Sequence, residues 1–100
     1  MLLGKVMGTL VSTQKDEKLR GLKFLVVEKL EMQGKSTGTF VIAADSVGAG
    51  VGEVVVYVSG SSARYTTTTE GKPADATIIG IVDTWDLNGK VQYQKSEERA

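Results

Sequence analysis

Between Asp45 and Glu53 the chain reads Asp-Ser-Val-Gly-Ala-Gly-Val-Gly-Glu, so that three glycines alternate with small or β-branched residues. The apolar run Val54 to Val58 follows, and then Gly60-Ser-Ser-Ala-Arg64. Glycine suits a backbone that needs positive φ or that must let another chain come close. Such a stretch between short apolar runs predicts strands joined by a tightly packed structural junction. A bulky β-branched residue at Gly50 is expected to break it.

Strand signals dominate the rest of the chain. Leu2 to Thr13 forms a first strand, with Leu2, Val6 and Leu10 on one face and Gly4 and Gly8 between them. Glycines inside a long strand point to strong coiling or a close neighbour, as barrel closure requires. Gln14 to Gly21 is charged, lacks alternation and reads as a loop. Leu22 to Glu31 is a second strand, Met32 to Gly38 a turn, Thr39 to Asp45 a third strand and Glu53 to Ser59 a fourth. Ser61 to Arg64 suggests one helical turn with Ser61 as its N-cap. Tyr65 to Lys72 reads as an exposed loop, and Thr77 to Asp83 as a fifth strand that can continue to Trp85. Asn88-Gly89 marks a hairpin turn, with Lys90 to Lys95 returning and Ser96 to Ala100 as a charged tail. The expected fold is all-β: a small five-stranded barrel with one short helical turn and a C-terminal hairpin, one domain over residues 1–95 with the tail at 96–100.

Strands of an antiparallel barrel normally alternate apolar-in and polar-out. Phe24 to Val27, Val54 to Val58 and Ile78 to Val82 are apolar on both faces. One barrel has one interior, so the second face needs a cover: its own loops or, on the preferred reading, another subunit.

Composition removes much chemistry. The chain has no histidine and no cysteine, which excludes Ser-His-Asp and Cys-His mechanisms and the common zinc ligands. Lys plus Arg equals Asp plus Glu at 12 each, so no net charge draws the chain to nucleic acid or anionic lipid. Charge is uneven, however: residues 1–35 carry seven basic and four acidic side chains, and 36–89 two basic and six acidic. The apolar runs are of strand length, too short for a membrane helix. The N-terminus lacks a basic segment followed by a long apolar one. A cytoplasmic location is expected.

The candidate motifs read best as structure. Gly48-Ala-Gly50-Val-Gly52 leads into a valine-rich strand, so no helix N-terminus is there to hold a dinucleotide phosphate. Gly34-Lys35-Ser36 has Lys29 where a phosphate-binding loop needs its first glycine. Gly60-Ser-Ser-Ala-Arg64 has arginine where a nucleophile elbow needs glycine. Asp45, Glu53, Asp83 and Asp86 sit at strand ends, where turn-capping or solvated acids are common; no catalytic residue, metal site or cofactor is expected. Arg64, one of two basic residues between 36 and 89, is expected to tie to an acid such as Asp45 or Asp83 of its own or an adjacent chain. Small barrels of the oligonucleotide-binding (OB) type often bind single strands through aromatic platforms and a basic groove. Here Phe24, Phe40, Tyr57, Tyr65, Trp85 and Tyr93 are scattered and no basic stripe accompanies them.

Five segments taken together resemble the EutN/CcmL family of bacterial microcompartment vertex proteins. They are Gly8-Thr-Leu-Val-Ser-Thr-Gln-Lys15, Leu19-Arg-Gly-Leu-Lys-Phe-Leu-Val-Val27, Ala43-Ala-Asp-Ser-Val-Gly-Ala-Gly-Val-Gly-Glu53, Ser59-Gly-Ser-Ser-Ala-Arg64 and Pro73-Ala-Asp-Ala-Thr-Ile-Ile-Gly-Ile-Val-Asp83. The resemblance runs in order from about residue 1 to 95. It implies a five-stranded OB-like barrel that assembles into a homopentamer. Such pentamers close the corners of icosahedral shells tiled by hexameric and trimeric shell proteins. It further implies a structural protein rather than an enzyme, in the shell of a cytoplasmic microcompartment, with neither nucleic acid nor membrane as partner. Asp45, Gly48, Ala49, Gly50 and Gly52, Ser61, Ser62, Ala63 and Arg64, and Asp83 are then expected near the subunit contact or the pore. An OB-type binding module for single-stranded nucleic acid or a small ligand is the alternative. Whether the shell is a carboxysome or a catabolic compartment is left open.

Overall fold

The computed structural model describes residues 1–13, 16–72 and 74–98. The ends of the predicted charged loop and tail (Gln14 and Lys15; Arg99 and Ala100) and Pro73 lie outside the described residues. Five strands close into a barrel: β1 (Leu2–Leu10), β2 (Phe24–Leu30), β3 (Ser36–Asp45), β4 (Val54–Ser59) and β5 (Ala76–Ile81), in the order β1-β2-β3-β5-β4. A separate hairpin follows, β6 (Thr84–Leu87) and β7 (Lys90–Gln94), and then a short helix α1 (Lys95–Glu98). Asn88 at φ 53° and Gly89 at φ 78° turn the hairpin, as the primed turn demands. The predicted helical turn is the 3-10 turn Gly60–Arg64; a second one, Glu17–Leu19, lies within the predicted charged loop.

The interior follows the period-two pattern. Val6, Leu25, Val27, Ala43, Val55, Tyr57 and Ile78 are buried in one cluster, and the register places Val6 opposite Val27 and Leu25 opposite Ala43. Gly4 is a close-approach glycine. A Cβ there would collide with Val27 Cγ1 and lie 3.0 Å from Tyr57 Cε1.

Leu10 is the first correction. The register of β1 on β2 slips between Val6 and Gly8, so Met7 is an extra residue and the alternation inverts beyond it. Leu2 and Val6 belong to the inner face, whereas Leu10 pairs with Phe24 on the outer face and is 44% exposed.

The two-sided apolar strands find part of their cover within the chain. Leu22, Ala44 and Ala74 form a small second cluster with Leu19 and Phe24 outside the barrel. Thr77, the outward residue at the start of β5, is buried and donates to the Ala63 carbonyl at 2.6 Å. Thr69 donates to that carbonyl at 2.7 Å and is fully buried. The stretch Tyr65–Lys72 is therefore not simply the exposed loop expected, because its threonines fold back beneath the 3-10 turn. Ser59, with no side-chain cap bond, occupies the N-cap position of that turn, which displaces Ser61 from its expected role. Further round the barrel the outer face is open: Phe40 and Ile42 on β3 are 54% and 41% exposed.

Candidate assembly site

The glycine stretch is a loop held from within. Asp45 ends β3, and its Oδ1 accepts from the backbone N–H groups of Val47, Gly48 and Ala49 at 3.1, 3.1 and 3.2 Å. Asp45 also donates its own N–H to the Lys23 carbonyl. Gly48 and Gly52 adopt φ of 78° and 92°, which β-branched residues adopt only under strain. Gly50 does not have positive φ, and a Cβ there would meet only Glu53 Oε1 at 3.5 Å. The conformational demand on glycine thus falls at Gly48 and Gly52, which corrects the expectation for Gly50.

Glu53 closes the other side of the loop. Its Oε1 accepts from Gly50 N–H at 2.7 Å and its Oε2 pairs with Lys95 Nζ at 2.6 Å. Gly52 N–H donates to the Val6 carbonyl and Val6 N–H to the Glu53 carbonyl, which fasten the loop across β1. Lys95 N–H donates in turn to the Asp83 carbonyl. Glu53 was expected only as a strand-end acid and Lys95 only as the end of the hairpin's returning strand, so neither was placed in the site. A glutamate three residues beyond Gly50 is a local signal that could have found the first; nothing local points to the second.

The predicted site residues therefore form two groups joined through β5. Asp45, Gly48, Ala49, Gly50 and Gly52 make the loop; Ser61, Ser62, Ala63 and Arg64 lie on the 3-10 turn. Ser46 Oγ donates to the Ile78 carbonyl while Thr77 Oγ1 donates to the Ala63 carbonyl, so adjacent residues of β5 anchor both. Asp83 stands apart beyond the far end of β5 and is exposed. Arg64 is exposed and has no ion pair among the described residues, so the expected tie to Asp45 or Asp83 of the same chain is not made. Asp45 already serves three N–H groups.

The carboxylates of Asp45 and Glu53 hold main chain, and among the described residues no three of His, Cys, Asp or Glu gather as metal ligands. Burial pushes the Tyr57 phenol above its ordinary pKa. The hairpin docks separately: Trp85 Nε1–H donates to the Met32 carbonyl at 2.8 Å, and its ring stacks on Tyr93 at 5.3 Å between centroids. Beside it a groove of about 680 Å³ is lined by Met1, Leu3, Met32, Val56 and Trp85, among others.

Strand order and closure define a small barrel of the OB type, with Asp45 and Glu53 engaged in holding the backbone of its glycine loop. The chain belongs to the EutN/CcmL family: the family described as "Ethanolamine utilisation protein EutN/carboxysome" matches residues 1–83. The carboxysome shell vertex protein CcmL of Synechococcus elongatus is 43% identical over 97 residues, covering 97% of this chain and 98% of that protein. The solved structure of Gloeobacter violaceus CcmL superimposes with a TM-score of 0.92 at 40% identity, covering 96% of this chain and 99% of that one. GrpN of Rhodospirillum rubrum, a pentameric microcompartment shell protein, gives 0.79 at 46% identity, covering 87% and 100%.

Proposed function

We propose that the protein is a structural shell component that forms homopentamers and caps the vertices of a bacterial microcompartment in the cytoplasm, doing no chemistry of its own. The observation that carries this is the open apolar outer face of the barrel at Leu10, Phe40 and Ile42, in a chain so close to vertex proteins of known pentameric form. A closed barrel has no strand edge of its own to add to, so such a face is satisfied by packing against another subunit.

Its partners are then four further copies of itself and, around the ring, hexameric and trimeric shell proteins. Neither nucleic acid nor membrane is a partner. The glycine loop from Asp45 to Glu53, the turn from Ser61 to Arg64, and Asp83 lie near the subunit contact or the pore. Arg64, exposed and without an ion pair among the described residues, is available to an acid of an adjacent copy. Uneven charge along the chain orients docking into the shell, so capping weakens as salt screens it.

Light scattering or native mass spectrometry tests the reading. The expected species is five times the 10.7 kDa chain, unchanged by single-stranded DNA. A stable monomer at micromolar concentration overturns it, and salt-dependent retention on single-stranded DNA transfers the case to an OB-type binding module. Deleting the chain from its native shell system should leave shells that fail to close at their corners; normal closure without a second vertex protein overturns the capping role.

A further inference from the structure

Asn88 is the chain's only asparagine, and Gly89 follows it. The pair forms the tip of the hairpin between β6 and β7. Asn88, at φ 53°, is the only non-glycine residue with positive φ among the described residues. Both residues are exposed. A Cβ built on Gly89 would meet nothing within 4 Å, so no neighbouring side chain crowds the peptide nitrogen next to the Asn88 amide.

We propose that Asn88 is a self-modification site, with its own side-chain amide as substrate and water as co-reactant, whose product releases the hairpin from the barrel. The Gly89 peptide nitrogen attacks Asn88 Cγ. The new N–Cγ bond closes a cyclic imide, the Cγ–Nδ2 bond breaks, and the proton of the Gly89 nitrogen leaves with the departing ammonia. Water then adds across one of the two imide C–N bonds. Opening at the former side-chain carbonyl gives aspartate; opening at the main-chain carbonyl gives isoaspartate, with the chain now running through Cβ and Cγ. No oxidant or reductant is involved. The imide takes the Asn88 main chain out of the left-handed region that the turn requires, so the hairpin must open before it forms.

The hairpin is built to feel this change. Isoaspartate adds a methylene to the main chain, which a two-residue primed turn cannot absorb. Two rungs, Leu87 with Lys90 and Asp86 with Val91, separate the tip from the Trp85–Tyr93 pair, and the register slips between them and that pair. A two-stranded hairpin is marginal by itself. This one is held by Trp85 Nε1–H on the Met32 carbonyl and by Lys95 on Glu53. Loss of the turn therefore reaches the docked tryptophan. The barrel closes through β1 to β5 without the hairpin, so release leaves it shut.

The full chain and a synthetic peptide of residues Thr84–Gln94 are incubated side by side in mildly alkaline buffer at physiological temperature. Mass spectrometry should show a single amide-to-acid exchange that maps to Asn88, several-fold slower in the folded chain than in the peptide. Isoaspartyl methyltransferase should label the isoaspartate fraction. In that fraction the emission of Trp85, the chain's one tryptophan, should shift to that of exposed indole. Amide exchange should accelerate across β6 and β7 while Val55 and Tyr57 keep their protection. Asn88→Gly, which a primed turn accepts, should stay unmodified with Trp85 docked. Asn88→Asp carries the new charge without the extra methylene and should keep Trp85 docked as well. An amide retained in the folded chain after many peptide half-lives overturns the site. A rate equal to the peptide's overturns the control by hairpin opening. Native Trp85 emission in the isoaspartate fraction, or undocking in Asn88→Asp, overturns the release mechanism.

Discussion

Lys95 Nζ lies 2.6 Å from Glu53 Oε2, across 42 residues of sequence, with both side chains mostly buried (19% and 23% exposed). That contact fastens the end of the C-terminal hairpin to the glycine loop. Glu53 also holds Gly50 N–H, so its loss strands an ammonium and a backbone donor together. Glu53→Ala should lower unfolding stability by about 2–3 kcal/mol, and Lys95→Met by about 1 kcal/mol. Urea titration at fixed protein concentration checks both; equal, negligible effects would mean the pair is solvated.

Gly4 and Gly8 look alike in the sequence but occupy opposite situations. A Cβ at Gly4 would clash with Val27 and crowd Tyr57 and the Glu28 carbonyl, whereas one at Gly8 meets nothing within 4 Å. Gly4→Ala should destabilise by about 1–3 kcal/mol through overpacking. Gly8→Ala should leave the chain's own fold within about 0.5 kcal/mol. Thermal melts of the two variants side by side decide it.

Asp45 is the single acceptor for three loop N–H groups, and it is buried. Asp45→Ala should cost about 2–3 kcal/mol by leaving those donors without a partner. Asp45→Asn, which keeps an acceptor oxygen of the same reach, should recover part of the loss. Amide exchange at Val47 to Ala49 should accelerate in the alanine variant; unchanged protection there would show that another group holds the loop.

Tyr57 predicts an alkaline limit. Its phenol is raised above the ordinary value of 10.0 by burial. Below that ordinary value the phenol is protonated in folded and unfolded chains alike, and its contribution is intact. Above it the unfolded chain ionises first, so stability falls as pH rises toward the higher folded value. Tyr57 should titrate together with unfolding in an ultraviolet titration. Tyr57→Phe should flatten the alkaline loss.

Arg64 was expected to tie to an acid of its own or an adjacent chain, and in the chain itself it is an exposed end of a 3-10 turn. Arg64→Ala should therefore change the stability of the isolated fold by no more than about 0.5 kcal/mol. Any larger effect should appear as a loss of oligomer in light scattering, and an effect on the monomer's melt would show a partner within the chain.

What the sequence made legible was local. Valine runs, turn glycines and Asn88-Gly89 placed the strands and the hairpin because those signals act over a few residues. The face of Leu10 was not legible, since one extra residue at Met7 inverts the alternation and nothing in the composition marks a bulge. The four threonines 66–69 look like polar loop, yet Thr69 is buried because the Ala63 carbonyl, held under the turn, gives its hydroxyl a partner. Lys95 reaches Glu53 only through the barrel's closure, a long-range pairing with no local trace. The two-sided apolar strands pointed to another subunit, and the family resemblance alone supplied the fivefold ring.

The parallel pairing of β3 with β5 spans only Ala44 with Thr77 and Asp45 with Ile78. The β2-β3 hairpin can zip up through its short connection at 31–35, and β4 joins β5 through the stretch that holds the 3-10 turn. Bringing β5 back beside β3 is a separate event that encloses a long loop for two rungs of ladder, so the entropy of that closure falls late on the folding path. The bonds flanking the rungs, Ser46 to the Ile78 carbonyl and Thr77 to the Ala63 carbonyl, form with it and act as a clasp. Closure and clasp together predict that a chain becomes ready for its neighbours only once its own barrel has shut.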